Sequence, residues 1–252
     1  MGAFRGPNII ENGLVAYFDV NNPKCVDATQ TIDSDTRLNN LVGGTMQMKP
    51  YDTTNGNMTF VIDNGSYVYD QDGLNGGEPG WESTSNPTRV DDYTFICWFK
   101  YNYGSPGGSV QRAENIYGGG FNSQTSFYLS PGGYSPQHGV LRYSDAGSAN
   151  SYSVTNSNNG GNDGNWHMFA STDTGGDGNQ TTKFYVDGVL KQTGTSNASH
   201  DTPDGSSQMV WGSWSRSYGN MNGRTNCYMY YERTLSDIEI LNTYNALKSR
   251  FQ

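Results

Sequence analysis

Asn165–Thr193, NWHMFASTDTGGDGNQTTKFYVDGVLKQT, decides the fold of this chain. Between Trp166 and Thr172, residues Trp166, Met168 and Ala170 alternate with His167, Phe169 and Ser171, the period of two that marks a strand. A glycine-rich loop, Asp173–Asn179, comes next. Two short runs of β-formers then flank Asp187-Gly188. An Asp-Gly pair in that setting predicts a two-residue type I′ hairpin, because both central residues need positive φ. Such a turn sets Val186 opposite Val189 and Tyr185 opposite Leu190. Phe184, Val186 and Val189 then share one face with the stem of Lys191, and Tyr185 and Leu190 share the other. Each apolar pair contributes only about 0.2–1 kcal/mol, so the hairpin needs neighbouring strands.

Working outward, the neighbours are there. Tyr93–Tyr101, YTFICWFKY, puts Phe95, Cys97 and Phe99 on one face and Ile96 and Trp98 on the other. Apolar residues on both faces predict a central strand covered on both sides. Thr225–Glu232 alternates again, with Cys227, Met229 and Tyr231 together. Leu14–Val20, Thr45–Lys49, Met58–Ile62, Ser66–Tyr69, Asn115–Gly118, Ser126–Ser130, Gly139–Ser144 and Gln208–Gly212 read as further strands, and residues 70–92 read as one long polar loop. A helix is predicted only at the end. Ser236-Asp-Ile-Glu239 is a capping box, with Leu235 and Ile240 placed for a hydrophobic staple. Ile240, Tyr244, Leu247 and Phe251 recur at helical spacing, and Lys248 and Arg250 suit the C-terminal end of the helix dipole.

The chain has 252 residues with a net charge of −9, and only 33% of them are hydrophobic, yet it holds 18 tyrosines and 33 glycines. Abundant aromatics with 15% charged residues argue against disorder and for many short strands joined by polar loops. The length suits one all-β sandwich. The acidic balance, without a basic cluster, speaks against nucleic acid. No apolar run is long enough to span a membrane, and the first residues, MGAFRGPN, lack the apolar core of a secretion signal. Cys25, Cys97 and Cys227 have no metal-ligand spacing and predict buried free thiols. Residues 1–13 read as an N-terminal arm, in which Phe4 and Arg5 are placed to dock on a partner; residues 14–252 read as one domain.

The F-Y-V-D-G-V-L hairpin after a Trp-His strand resembles the laminin-G-like, concanavalin A-like sandwich. The opening run GLVAYFDVNNPKC and the closing run YYERTLSDIEILNTYNALKSRF resemble laminin-G-like domains in virion proteins of tailed phages, cyanophages among them. That resemblance implies a virion structural protein, on the capsid, a fibre or the tail. It would be made in the host cytoplasm without a signal peptide, present in several copies, and bound to other virion proteins and to host surface polysaccharide. The fold it implies is all-β, a two-sheet antiparallel jelly roll with one short C-terminal helix. The alternative is a carbohydrate-binding lectin module.

Chemistry is sparse. The E-x-D-x-x-E strand that would set a retaining carboxylate pair is absent, as are a G-x-S-x-G elbow and a phosphate-cradling loop. His138, His167 and His200 lack metal spacing. The chain is therefore expected to be no enzyme and to need no cofactor. Calcium, which similar domains hold in rim loops, would fall to Asn122, Ser123, Trp214 or Arg216, none of them a carboxylate. Asp33, Asp35, Asp70, Asp72, Asp163, Asp173 and Asp177 read as solvated loop acids. The remaining candidates are rings in polar loops, Phe121, Tyr134, Trp214 and Tyr218, with Arg216 beside them. Flat rings stack on sugar faces, and guanidinium groups bond hydroxyls.

Overall fold

The structure, a computed structural model, describes residues 9–50, 57–72, 80–85, 90–101, 114–117, 127–130, 140–145, 148–153, 164–175, 180–196, 210–211, 213–215, 218–220 and 223–251. In chain order the first strands are β1 (Leu14–Asp19), β2 (Leu38–Asn39), β3 (Gln47–Pro50), β4 (Asn57–Asp63), β5 (Ser66–Asp72) and β6 (Trp81–Ser83). Then come β7 (Tyr93–Tyr101), β8 (Glu114–Tyr117), β9 (Phe127–Ser130), β10 (Val140–Asp145), β11 (Ser148–Ser153) and β12 (Trp166–Thr174). The last are β13 (Gln180–Val186), β14 (Val189–Ser196), β15 (Val210–Trp211), β16 (Ser213–Ser215), β17 (Tyr218–Asn220) and β18 (Gly223–Tyr231), before helix α1 (Asp237–Leu247).

An eight-stranded antiparallel sheet, ordered β14-β13-β12-β7-β18-β5-β4, forms the middle layer, with β1 also paired to β18. β18 is long enough to take two partners end to end on one side: Gly223–Thr225 pair with β5, and Cys227–Tyr231 pair with β1. One face of this sheet packs on the four-stranded sheet β15-β6-β3-β2. Phe95, Cys97, Phe99, Phe169, Phe184 and Tyr228 meet Leu38, Met48, Trp81 and Trp211 there. The other face carries Ile96, Trp98, Met168, Ala170, Tyr185 and Met229, covered by Leu235, Ile240, Leu247 and Phe251 of the C-terminal segment. This double burial is why β7 is apolar on both faces. A second four-stranded sheet, β11-β10-β9-β8, and the hairpin β16-β17 complete the strands. The fold is the all-β, two-sheet antiparallel sandwich with a short C-terminal helix that the pattern predicts.

The deciding hairpin forms in the expected register, Val186 opposite Val189 and Tyr185 opposite Leu190. Asp187 and Gly188 both have positive φ, 52° and 77°. Gly188 has a second reason to be glycine, because a Cβ there would lie 2.9 Å from Leu241 Cδ1 and 3.1 Å from its Cα. The turn is thus pressed against α1. One detail differs from expectation: a register shift follows at Phe184/Tyr185, so Phe184 faces Gln192. The extra residue is Lys191, and a bulge of this kind takes a residue out of simple alternation.

α1 begins with the predicted capping box, Ser236 and Glu239 each bonding the other's backbone N–H. Arg233 clamps Glu239 with two bonds, 2.6 and 3.1 Å, and donates from Nε to the Asn12 carbonyl at 2.8 Å. Arg233 first, then the capping bonds, outweigh the opposing effect of burial and hold the Glu239 carboxyl down at about 2. Arg250 then ties the end of the chain to its beginning. Its guanidinium bonds both oxygens of Asp19 at 2.8 Å and the Asn226 side-chain oxygen at 2.9 Å. Ile9 and Ile10 pack against the helix-side core, and residues 1–8, with Phe4 and Arg5, lie outside the described residues. Cys25, Cys97 and Cys227 are free and buried. Among the described residues no helix is long and apolar enough to cross a membrane.

Candidate functional site

One rim of the eight-stranded sheet gathers the functional features. Strand register lines up Trp166 with Lys100, Lys100 with Arg224, and Arg224 with Asp70, across β12, β7, β18 and β5. At or next to this row the chain enters the sheet at Trp166 and Gly223 and leaves it at Asp72 and Tyr101. Residues 212–222 run from Trp211 in the outer sheet, paired with Trp81, to Gly223 in the middle sheet. The segment holding Trp214, Arg216 and Tyr218 is therefore anchored on both layers at this rim.

The row is polar and charged. Asp63, at the end of β4, accepts from Lys100 Nζ at 3.0 Å and from Arg224 Nη1 at 2.9 Å. Arg224 Nε donates to Asp70 Oδ1 at 3.1 Å. Burial alone would raise the Asp63 carboxyl, but Arg224 and Lys100 outweigh it and hold it below the ordinary carboxylate range. Lys100, Arg224 and Asp70 remain a quarter to a third exposed. Ion pairs that wet contribute only about 0–1 kcal/mol each. What the network supplies is orientation, with donors and acceptors fixed side by side at the surface.

Beneath the row, on the inner face, lies an aromatic group. Tyr69 packs edge-on to Trp81 at 5.7 Å and against Trp211 at 6.1 Å, and Trp211 lies 5.9 Å from Tyr228. Thr225 sits opposite Tyr69. Nε1 of Trp81, Nε1 of Trp211 and Oγ1 of Thr225 are buried without a hydrogen-bond partner among the described residues. Each such group costs about 1–3 kcal/mol, and groups of this kind in native folds call for a functional or solvent explanation. Gly223 closes the corner, because a Cβ there would lie 2.4 Å from the Lys100 carbonyl oxygen and 3.1 Å from the Phe99 ring. The obstacle is backbone, which has no rotamer to yield. Gly223→Ala is expected to destabilise by about 1–3 kcal/mol through overpacking, read as a lower urea midpoint.

The residues singled out from the sequence are distributed as follows. Trp214 and Tyr218 lie in the hairpin β16-β17, in which Ser213 pairs with Asn220 and Ser215 with Tyr218. The side chains of that hairpin, and Phe121, Asn122, Ser123, Tyr134 and Arg216, lie outside the described residues. His167 is a packed strand histidine whose Nδ1 meets Asp187 Oδ2 at 2.7 Å, while Asp187 Oδ1 accepts from the Met168 N–H at 2.9 Å. Three of the supposed loop acids are strand residues, Asp72 among them as the last residue of β5. Asp70 belongs to β5 and pairs with Arg224; Asp173 belongs to β12 and is buried. The polar loop read over residues 70–92 contains β6, whose three residues are all buried. The group of Lys100, Arg224, Asp63 and Asp70 escaped the sequence reading, because strand register brings the first two and Asp70 together, and Asp63, opposite Ser66 at the end of β4, joins them only through its side-chain bonds. Among the described residues no group of three or more His, Cys, Asp or Glu is placed to hold a metal.

A profile of the concanavalin A-like lectin/glucanases superfamily matches residues 75–241. No curated protein matches the chain by sequence. Among solved structures, domain 4 of an extracellular arabinanase from Geobacillus stearothermophilus, in complex with arabinotriose, is similar over 93% of this chain and 100% of that one, with a TM-score of 0.63 and 16% identity. The binding domain of Paraclostridial mosquitocidal protein 1 gives a TM-score of 0.61 at 14% identity, covering 92% of this chain and 52% of that one. The binding domain of botulinum neurotoxin DC, in complex with SialylT, gives 0.58 at 13%, covering 93% and 52%. The chain thus spans about half the length of these toxin domains. At such identities the likeness is one of fold.

These findings overturn the virion reading. The similar structures are toxin binding domains and a domain of an arabinanase, not virion proteins. With that reading fall the capsid, fibre and tail roles, the virion location, the attachment to other virion proteins, and docking of Phe4 and Arg5 on such a protein. There is a physical reason why the terminal motifs misled. Asp19 in the opening run and Arg250 in the closing run are two halves of one buried ion pair, and Ser236 with Glu239 is a helix cap. Both serve to close a sandwich, and neither is tied to a particle. The toxin matches are to binding domains rather than catalytic ones, in keeping with the absence of catalytic sequence motifs.

Proposed function

The chain belongs to the concanavalin A-like lectin/glucanase superfamily, and on that premise we propose that it is a carbohydrate-binding module, without catalytic activity, that takes saccharide at the rim of its eight-stranded sheet. The observation that carries this reading is the rim itself. It sets oriented donors and acceptors, Lys100, Arg224, Asp63 and Asp70, at the root of the segment bearing Trp214, Arg216 and Tyr218. Sugar rings offer an apolar face for stacking and hydroxyls that both donate and accept, and this mixture answers both. Phe121 and Tyr134 belong to the same proposal as further stacking rings. The similar arabinanase domain was solved with arabinotriose, which supports a saccharide as the ligand class. The net charge of −9 favours neutral saccharides over polyanions.

A glycan array carrying arabino-oligosaccharides, other neutral oligosaccharides and sialylated glycans tests the proposal. Saturable binding is expected. Trp214→Ala and Tyr134→Ala are each expected to weaken it about tenfold or more, by the scale of a lost aromatic contact. No saturable signal from folded protein on any saccharide would overturn the reading.

A further inference from the structure

At the end of β12 opposite the rim lies a carboxyl group that no ion pair explains. Asp173 is fully buried, on the inner face with Phe169 and Ser171. The Thr182 hydroxyl on β13 donates to its Oδ1 and the Tyr93 hydroxyl on β7 is directed at the same carboxyl, while among the described residues Oγ of buried Ser171, two residues before, has no partner. Four pieces of the fold meet here. Asp173 pairs with Tyr93 of β7 and with Thr182 of β13, and its carbonyl accepts from Thr234 Oγ1, in the lead to α1, at 2.7 Å. Just beyond, the Gly175 N–H donates to Asp92 Oδ1 at 3.1 Å.

The charges around this junction are committed elsewhere. From the lead to α1, Arg233 is clamped on Glu239. From β13, Lys183 reaches out to Asp237 at 2.9 Å. From β7, the Tyr93 hydroxyl favours the charged carboxyl, as does Thr182, and Asp92 adds a second acid nearby. Among the described residues no Lys, Arg or His pairs with Asp173. Burial outweighs the two hydroxyls and pushes the carboxyl up to about 6.

We propose that Asp173 is a pH-sensitive latch on the β12-β13-β14 edge of the sheet, closed against β7 and the helix lead when neutral and loosened when charged. The sign follows from linkage. The folded-state value lies above the ordinary 3.8, so the fold holds this proton more tightly than the unfolded chain does. The stabilisation from the neutral group is whole below the unfolded value and is lost as pH rises through about 6. This latch is independent of saccharide binding at the other rim.

The test is urea denaturation of the full chain from pH 4 to pH 7.5, for the parent and for Asp173→Asn, with amide hydrogen exchange over residues 166–196. A carboxyl held at about 6 rather than 3.8 corresponds to about 100-fold in an equilibrium constant. The unfolding constant of the parent, relative to that of the Asn variant, should rise about that much between pH 4 and pH 7. Exchange corrected for intrinsic rate should accelerate in β12–β14 of the parent alone. Thr182→Val removes a bond that favours the charged form, so the pH midpoint of the effect should move upward; this variant decides the matter if Asp173→Asn does not fold. Parallel pH profiles of parent and Asn variant, or an unmoved midpoint in Thr182→Val, would overturn the latch.

Discussion

Arg250→Ala is expected to lower the stability of the domain by about 3–5 kcal/mol, the usual consequence of removing one partner from a buried pair. Its side chain is 16% exposed and that of Asp19 only 6%. With Arg250 gone, Asp19 keeps bonds from the Tyr17 hydroxyl and the Asn21 N–H but loses its only cation among the described residues. Asn226, fully buried, loses a donor as well. The loss falls where the first strand meets the last, so β1 should part from β18 early in unfolding. Urea midpoints measure it. The double variant Asp19→Asn/Arg250→Met should recover part of the loss, because it leaves no unpaired buried charge. An Arg250→Ala protein within 1 kcal/mol of the parent, on the same scale, would show that the pair holds nothing.

The second large effect is expected at Phe251. Its ring stacks on Trp98 at 4.3 Å and lies 4.9 Å from Trp166, and it is 4% exposed. Trp98 also carries Tyr244 at 5.6 Å. Phe251→Ala removes the ring that joins the end of the chain to β7 and β12, and the surrounding indoles are too rigid to close the gap. A loss of about 3–5 kcal/mol follows from transfer plus cavity, with red-shifted tryptophan emission as Trp98 and Trp166 gain water. Phe251→Leu should lose much less. An unshifted spectrum with an unshifted midpoint would contradict this account of the helix face.

Legibility in the sequence followed the range of the interaction. The Asp187-Gly188 turn and the Ser236–Glu239 cap depend on residues at most a few positions apart, and both formed as expected. β7 announced its two covered faces in nine residues. β6 did not, because three residues are too few to show a period. The bulge at Phe184/Tyr185 leaves no mark in the pattern, since a single extra residue looks like any other. Asp19 and Arg250 are joined across 231 positions, a distance over which spacing carries no information. The same holds for Lys100, Asp63 and Arg224. Asp173 looked like a loop acid because glycines follow it, yet the strand runs one residue beyond it. The terminal motifs were read as the mark of a particle when their work is to close the sandwich.

The most direct test of the saccharide rim is amide and indole chemical-shift mapping of isotope-labelled protein during titration with arabinotriose and with the strongest neutral glycan from the array. The account predicts saturable shifts concentrated at Asp70, Lys100, Tyr101, Trp166, Gly223 and Arg224 and in residues 212–222, with β2, β3 and α1 unmoved. Shifts concentrated on another surface, or none with any saccharide, would contradict it.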